Sequence, residues 1–500
     1  MVFRCSPAAA SCCSPRAWTG TKPVHARQAA TPVGSLPCAQ AWVDDPVSHA
    51  RTLSVDCVTD RPITIPEGWD FDGSGHLIRV IDPARGLFRG GVLETHGGTT
   101  TVRDVTIDGS GLTAGCSREA VVAGVFFLET GGSIEQVAIT DVRRGVGDRC
   151  GYGMILSGPP VAVVRLVDAT IRRPGDAGAV ITSGRAEVSG VTIEDAGEDG
   201  IIVCCDGTTG TITDSRIVRP GNAGISVEDG GTATIRDSII EQPGAIGVIA
   251  MAGATVEVSE STVFSGGLAG VVASDAGTGV TIAGATFDGQ TRDGVYVQLG
   301  AAATVSDNTL TLAGGNGITL SATTGTGRVS GNRVLDAVVG IVIRDGAANA
   351  AVSDNLVRGG ETGIRVAGPS TEARVTGNTI EATTVTGLAV ENGARAEATE
   401  NVITGPGTLS AAAAFGPAGI HYGSGASGVV RGNQVANYLS DMPGSLACGI
   451  AIDADAGEVD VAASVFPAPG NASNFCRGAP PEFWIPGRAQ VVGTPVPGAD

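Results

Sequence analysis

Lysine is almost missing from this chain of 500 residues: Lys22 is the only one, so nearly all of the 32 basic residues are arginine. A lysine base or Schiff-base nucleophile is thereby excluded from everything beyond the first few dozen residues. Aromatic residues make up only 4%, too few for a large aromatic core. No apolar run approaches the roughly 18 residues that a membrane-spanning helix needs. The opening MVFRCSPAAASCCSPRAW lacks an apolar signal core, so any export leader is atypical or its start codon is misassigned. Acidic residues outnumber basic ones, 51 against 32, for a net charge of -19. Such a surface repels phosphate backbones and anionic membranes, which argues against a nucleic-acid partner.

What the chain does have is glycine, 76 residues of it, with an apolar content carried by Val, Ile, Leu and Ala. That palette suits thin layers of β-branched side chains. It is also periodic. Aligned on Asp307/Asn308, the sequence matches itself at Asp214/Ser215, Asp237/Ser238, Glu260/Ser261, Gly284/Ala285, Gly331/Asn332, Asp354/Asn355, Gly377/Asn378 and Glu400/Asn401, at spacings of 23 or 24. Weaker copies begin at Asp104, Gln136, Asp168, Gly190 and Gly432, and wider gaps, such as the 32 residues from Gln136 to Asp168, mark inserted loops.

Each unit reads like AATVSDNTLTL followed by GGNGITLSA: alternation, a turn pair, a short strand, a Gly-rich turn, then Gly-Ile-x-Val. Three period-two segments predict three short strands and no helix. So small a unit cannot bury its apolar positions alone, so successive units must stack and share one core, about 4.8 Å per rung. A leucine-rich repeat has a similar period but needs a helical or extended outer segment, where this chain has a second alternation punctuated by Gly. The expectation is an all-β parallel solenoid of about 14 rungs of 22 to 24 residues. The column Asn308, Asn332, Asn355, Asn378, Asn401 and Asn433 then forms an asparagine ladder at one corner, where Asn tolerates left-handed backbone. The glycines at 200, 224, 247, 270, 294, 317, 340, 363 and 387 read as a second turn column.

The Asx-Asn-x-Ile corner followed by Gly-Ile-x-Val resembles the repeat of right-handed parallel β-helix proteins of the pectin-lyase-like superfamily, over roughly residues 55 to 455. The stretch ITIPEGWDFDGSGHLIRV, from Ile63 to Val80, is similar to the opening rung of many of them. The resemblance implies the fold and is nearly silent about activity. Hydrolases of the polygalacturonase type carry Asn-Thr-Asp, Asp-Asp, Gly-His-Gly and Arg-Ile-Lys motifs. Here the only Asp-Asp is Asp44/Asp45, outside the repeats, and the other three are absent.

Outside the array, residues 1–54 read as a leader or linker with an N-terminal cap and 456–500 as a Pro-rich cap, in which Phe466, Phe475, Phe483 and Trp484 cover the last rung. The eleven cysteines fit an oxidising compartment, hence an exported protein. Expected disulfides are Cys38 with Cys57, Cys116 with Cys150 and Cys448 with Cys476, although spacing alone does not establish connectivity. The vicinal pair Cys204/Cys205 places one side chain inward and one outward on an alternating strand. It reads as two small fillers before it reads as a redox or metal site.

The resemblance places ligands across the strand that follows the Gly-rich turn. One outward column there reads Ile202, Ser226, Ile249, Val272, Tyr296, Thr319, Val342, Arg365, Ala389, His421, and the next contains Arg344 and Glu391. Arg344, Arg365, Glu391 and His421 fall within about four rungs, or roughly 15–20 Å. They are the candidate catalytic or glycan-binding residues: Arg for a carboxylate, His421 or Glu391 for acid–base work. A second cluster, Asp176, Asp199 and Asn222, lies in turns of neighbouring rungs with Asp195 and Glu198. Its oxygens suit Ca²⁺, and Asp and Asn are equally the preferred turn residues. The leading expectation is a non-catalytic scaffold or adhesin-like protein contacting a polysaccharide or cell-surface glycan. The alternative is a polysaccharide lyase, epimerase or glycoside hydrolase with an unfamiliar site.

Overall fold

The computed structural model describes residues 36–478, apart from 114, 116–120, 145–149, 261–262, 313, 326, 410–416, 441–446 and 468–469. The described residues fall into two compact units, divided between Glu257 and Val258. In each, short strands recur three to a rung, and every strand of the rungs pairs in parallel with its equivalent one rung on. In the first unit Ile193 lies beside Ile217 and Ile217 beside Ile240. In the second, Ile318, Ile341, Ile364, Leu388, Ile420, Ile450 and Phe475 stand in one inward file. Six of these, Ile318, Ile341, Ile364, Leu388, Ile420 and Ile450, are wholly excluded from solvent. This is the parallel β-helix that the repeat predicts: like apolar side chains, mostly Ile, stack on one another because each rung presents the next with a similar surface.

Near the start of the described residues Leu36–Pro37 pairs in parallel with Cys57–Thr59, and Trp42–Asp45 forms an antiparallel pair with Ala50–Leu53, against which Asp70–Asp72 pairs in parallel. Parallel pairing continues past residue 455 in the second unit. Val459–Ala462 lies along Ser427–Arg431, and Ser473–Gly478 along Cys448–Asp453. Phe475 therefore adds to the inward file as part of a further strand. Phe483 and Trp484 lie outside the described residues. Disulfides Cys38–Cys57 and Cys448–Cys476 are present, with Cα separations of 4.8 and 6.1 Å. Cys150 is disulfide-bonded, while Cys116, its expected partner, lies outside the described residues.

The asparagine ladder is continuous in the second unit. Asn308, Asn332, Asn355, Asn378 and Asn401 each donate both the backbone N–H and Nδ2 to Oδ1 of the next Asn, ending at Asn433, at 2.9–3.0 Å. In the first unit serine takes the position: Ser215 N–H donates to Ser238 Oγ at 3.3 Å. The structure corrects one point. The left-handed residue is not the Asn but the one before it, and all fourteen of these, from Asp104 to Gly432, have φ of 46–68°. That position therefore alternates Asp, Glu, Gln and Gly, while the Asn keeps ordinary backbone and turns its amide inward.

The glycine column is corrected as well. Gly200, Gly224, Gly294, Gly317, Gly340, Gly363 and Gly387 have no left-handed φ. They are required by close approach. A Cβ on Gly363 would stand 2.5 Å from both the carbonyl oxygen of Gly387 and Cγ2 of Ile380. Gly363→Ala is therefore expected to cost about 1–3 kcal/mol through overpacking. Gly279→Ala, where a Cβ meets nothing within 4 Å, should be neutral or slightly stabilising; equilibrium denaturation compares the two.

Candidate functional site

The sheet that contains Val339–Arg344, Thr362–Ala367, Thr386–Glu391, Ala418–Tyr422 and Cys448–Asp453 carries the candidate residues of the second unit. Inward Ile, Leu and Val alternate with outward residues in two files. The inner register runs Val342, Arg365, Ala389, His421, Ala451, and the neighbouring file runs Arg344, Ala367, Glu391, with Asp453 at the same end of its strand. The expected columns are thus the observed ones.

The structure brings these residues together as pairs across rungs. Arg365 Nε lies 3.0 Å from Glu391 Oε1, and its terminal nitrogen donates to Oε2 at 3.2 Å. His421 Nε2 lies 3.1 Å from Asp453 Oδ1, with both side chains more than four-fifths covered. Arg344 stands apart from these two pairs. Its Nε is 3.3 Å from Asp345 and its guanidinium 5.9 Å from the Tyr296 ring. Asp345 in turn accepts from Ser321 Oγ at 2.7 Å. Ala367, Ala389 and Ala451 take the neighbouring register positions and Gly423 lies beside His421 and Asp453, so small residues floor the strip around the Arg–Glu and His–Asp groups.

Asp453 is absent from the candidates read in the sequence. Its signal was its place one strand beyond His421, in an insertion-lengthened rung where a constant period does not predict register. Every base here has an acid beside it, so the strip offers donors and acceptors without net positive charge. Paired guanidinium and carboxylate can each bond a sugar hydroxyl. His421, oriented by Asp453, has the arrangement of a general base held by a carboxylate.

The outer face of the first unit is different in character. Phe126, Ile155, Val180 and Ile202 align across successive rungs, followed by Ser226 and Ile249. The second candidate cluster lies in the turns beside that sheet. Asp199 Oδ1 accepts from Asn222 Nδ2 and from the Ala223 N–H, both at 2.9 Å. Asp176 accepts from Tyr152 Oη at 3.0 Å, and burial, before the Asp176 charge, pushes the Tyr152 hydroxyl above its ordinary value. Asn222 directs its amide nitrogen, not its oxygen, at Asp199. The same bond recurs at Asp293 and Asn316, at 3.0 Å, as a turn-fastening device. Among the described residues no group of three or more His, Cys, Asp or Glu converges as metal ligands do.

These features define a β-helix protein with a polar outer strip. The chain belongs to the right-handed β-helix family, whose description is "Right handed beta helix region" and which matches residues 90–263 and 269–437. Among curated proteins none matches. Solved structures with detectable likeness include the periplasmic alginate epimerase AlgG, at 12% identity, 85% of this chain and 80% of that one, with a TM-score of 0.27. A GH136 lacto-N-biosidase from Eubacterium ramulus shares 10% identity over 67% of this chain and 62% of that one, with a TM-score of 0.35. A tailspike protein of E. coli bacteriophage HK620, in complex with a pentasaccharide, shares 11% identity over 83% and 72%, with a TM-score of 0.29. Among the described residues no helix is long and apolar enough to cross a membrane.

Proposed function

We propose that this protein is an exported, carbohydrate-contacting β-helix, a surface scaffold or adhesin-like module whose contact strip is the outer face bearing Arg344, Arg365, Glu391 and His421, together with Asp453. The observation that carries this reading is the pairing of Arg365 with Glu391 and of His421 with Asp453 above a floor of Ala and Gly. Such a strip suits hydroxyl-rich chains better than polyanions. A uronate carboxylate would have to displace Glu391 from Arg365, on a protein of net charge -19. Export is supported by Cys38–Cys57 and Cys448–Cys476, since disulfides persist in oxidising compartments. The His421–Asp453 pair favours a second reading, a polysaccharide lyase, epimerase or glycoside hydrolase with His421 as base. Ca²⁺ at Asp176, Asp199 and Asn222 belongs with that reading and requires the Asn222 amide to turn its oxygen inward.

The test is affinity electrophoresis of the full chain against neutral and acidic polysaccharides, with and without Ca²⁺, while reducing ends and unsaturated products are followed. Retention by a neutral glycan, weakened about tenfold by Arg365→Ala, is the expected outcome, the size of one charge-assisted contact. Absence of retention by every glycan overturns it. Product formation that is abolished by His421→Asn would establish the enzyme instead.

A further inference from the structure

Cys204 and Cys205 close the strand Ile201–Cys204 of the first unit. On a regular strand their side chains would diverge to opposite faces. They do not, because Cys205 leaves the strand with φ of 86°. Its N–H donates to the Glu228 carbonyl at 3.3 Å, and its own carbonyl accepts the Thr208 N–H at 3.1 Å, closing a turn over Asp206 and Gly207. The reversal brings Cys205 Sγ to 3.0 Å from Cys204 Sγ. Cys204 is only 2% exposed, whereas Cys205 is half-buried at the rim of the turn.

From this geometry we infer that Cys204 and Cys205 form a thiol–disulfide exchange site that closes reversibly into a vicinal disulfide when it meets a small-molecule disulfide. Cys205, the accessible sulfur, releases its proton and attacks one sulfur of the incoming disulfide, expelling one small thiolate. Cys204, already in contact, then loses its proton and attacks Cys205 Sγ, expelling the second. Two cysteine thiols are oxidised, one small disulfide is reduced to two thiols, and the protein loses two hydrogens. Adjacent Cα atoms stand about 3.8 Å apart across a trans peptide, short of the roughly 4.4–6.8 Å that an ordinary disulfide spans. The ring is therefore strained and readily reopened. Cys38–Cys57 and Cys448–Cys476, at 4.8 and 6.1 Å, lie within the ordinary span and serve as staples.

The experiment treats the folded full chain with oxidised glutathione and maps its peptides by mass. The wild type should lose about 2 Da on the peptide holding both cysteines and retain no glutathione there. Cys204→Ser should keep one glutathione on Cys205, and Cys205→Ser should leave Cys204 unmodified. A mild dithiol should then restore both thiols while the two long-range disulfides persist. A wild-type protein that keeps a stable glutathione adduct, stays unreacted or crosslinks into dimers overturns the inference. Should the serine variants fail to fold, titration of the wild type with phenylarsine oxide decides. One equivalent removing two thiols sustains a dithiol site, and loss of none or of one thiol overturns it.

Discussion

Replacement of Arg144 by methionine will destabilise the first unit by about 3–5 kcal/mol, the cost of removing one partner from a buried ion pair. Arg144 is wholly buried, and Asp82 is nearly so. Its guanidinium is 3.0 Å from Asp82 Oδ1 and also donates to the carbonyls of Thr113 and Phe88. Asp82 further accepts from the Phe88 N–H at 2.7 Å, the Thr113 N–H at 2.8 Å and Thr113 Oγ1 at 2.5 Å. Without Arg144 the carboxylate loses its countercharge while still desolvated, and two carbonyls lose a donor. Arg144→Lys should recover only part of the loss, because one ammonium cannot span three acceptors held in a fork. Asp82→Leu combined with Arg144→Met should be milder than Arg144→Met alone, since no lone charge remains. Hydrogen exchange of the strands from Leu77 to Thr140 reports the effect locally, which a repeat architecture requires.

The pair also sets a pH dependence. Burial raises the Asp82 carboxyl, but hydrogen bonds from Thr113 and Phe88 and the Arg144 charge outweigh it, leaving the group below the ordinary carboxylate range. A depressed folded value contributes stability that is present above the unfolded pKa of about 3.9 and is lost as pH falls through the folded one. Asp141 behaves alike, held down first by Arg173. The gap in stability between the wild type and the Asp82→Leu/Arg144→Met protein should therefore be constant near neutrality and shrink below about pH 4.

Asn378→Ala, in the middle of the asparagine ladder, carries the second large effect. Asn378 Oδ1 accepts from the N–H and the Nδ2 of Asn355, and its Nδ2 donates to the Val352 carbonyl and to Asn401 Oδ1. Alanine leaves the Asn355 N–H and the Val352 carbonyl buried without those bonds. At about 1–3 kcal/mol for each orphaned group, the loss is about 2–6 kcal/mol. Asn378→Ser should recover roughly half, because a hydroxyl keeps the acceptor, as Ser238 does for Ser215 in the first unit. Asn378→Asp should be the most damaging at neutral pH, where it buries a charge opposite the Asn401 oxygen, and less so in acid. A urea titration monitored by far-UV circular dichroism, with alanine and serine side by side, measures these differences; equal stability of Asn378→Ala and the wild type would show that the ladder is dispensable.

The repeat, the three strands of each rung, the identity of the ladder and the outward columns were all legible in the linear sequence. The reason is physical: each rung meets a near copy of itself, so period-two alternation and a period of 23 or 24 already encode register. Cys38–Cys57 and Cys448–Cys476 could be expected from their places beside the two ends of the array, while their connectivity came from the structure. Tertiary structure decided whatever depends on chain that breaks the period. Asp453 reaches His421 across a lengthened rung 32 residues on, and Asp82 meets Arg144 across 62 residues that include inserted loops. The cysteine sulfurs meet only because one residue turns left-handed. The glycine column looked like a set of turns, and only the packed rungs revealed that its missing side chains make room for the carbonyl of the next glycine. Recurrence along the chain determined which residues stack, whereas the three-dimensional path of the loops determined which charged and reactive groups face one another.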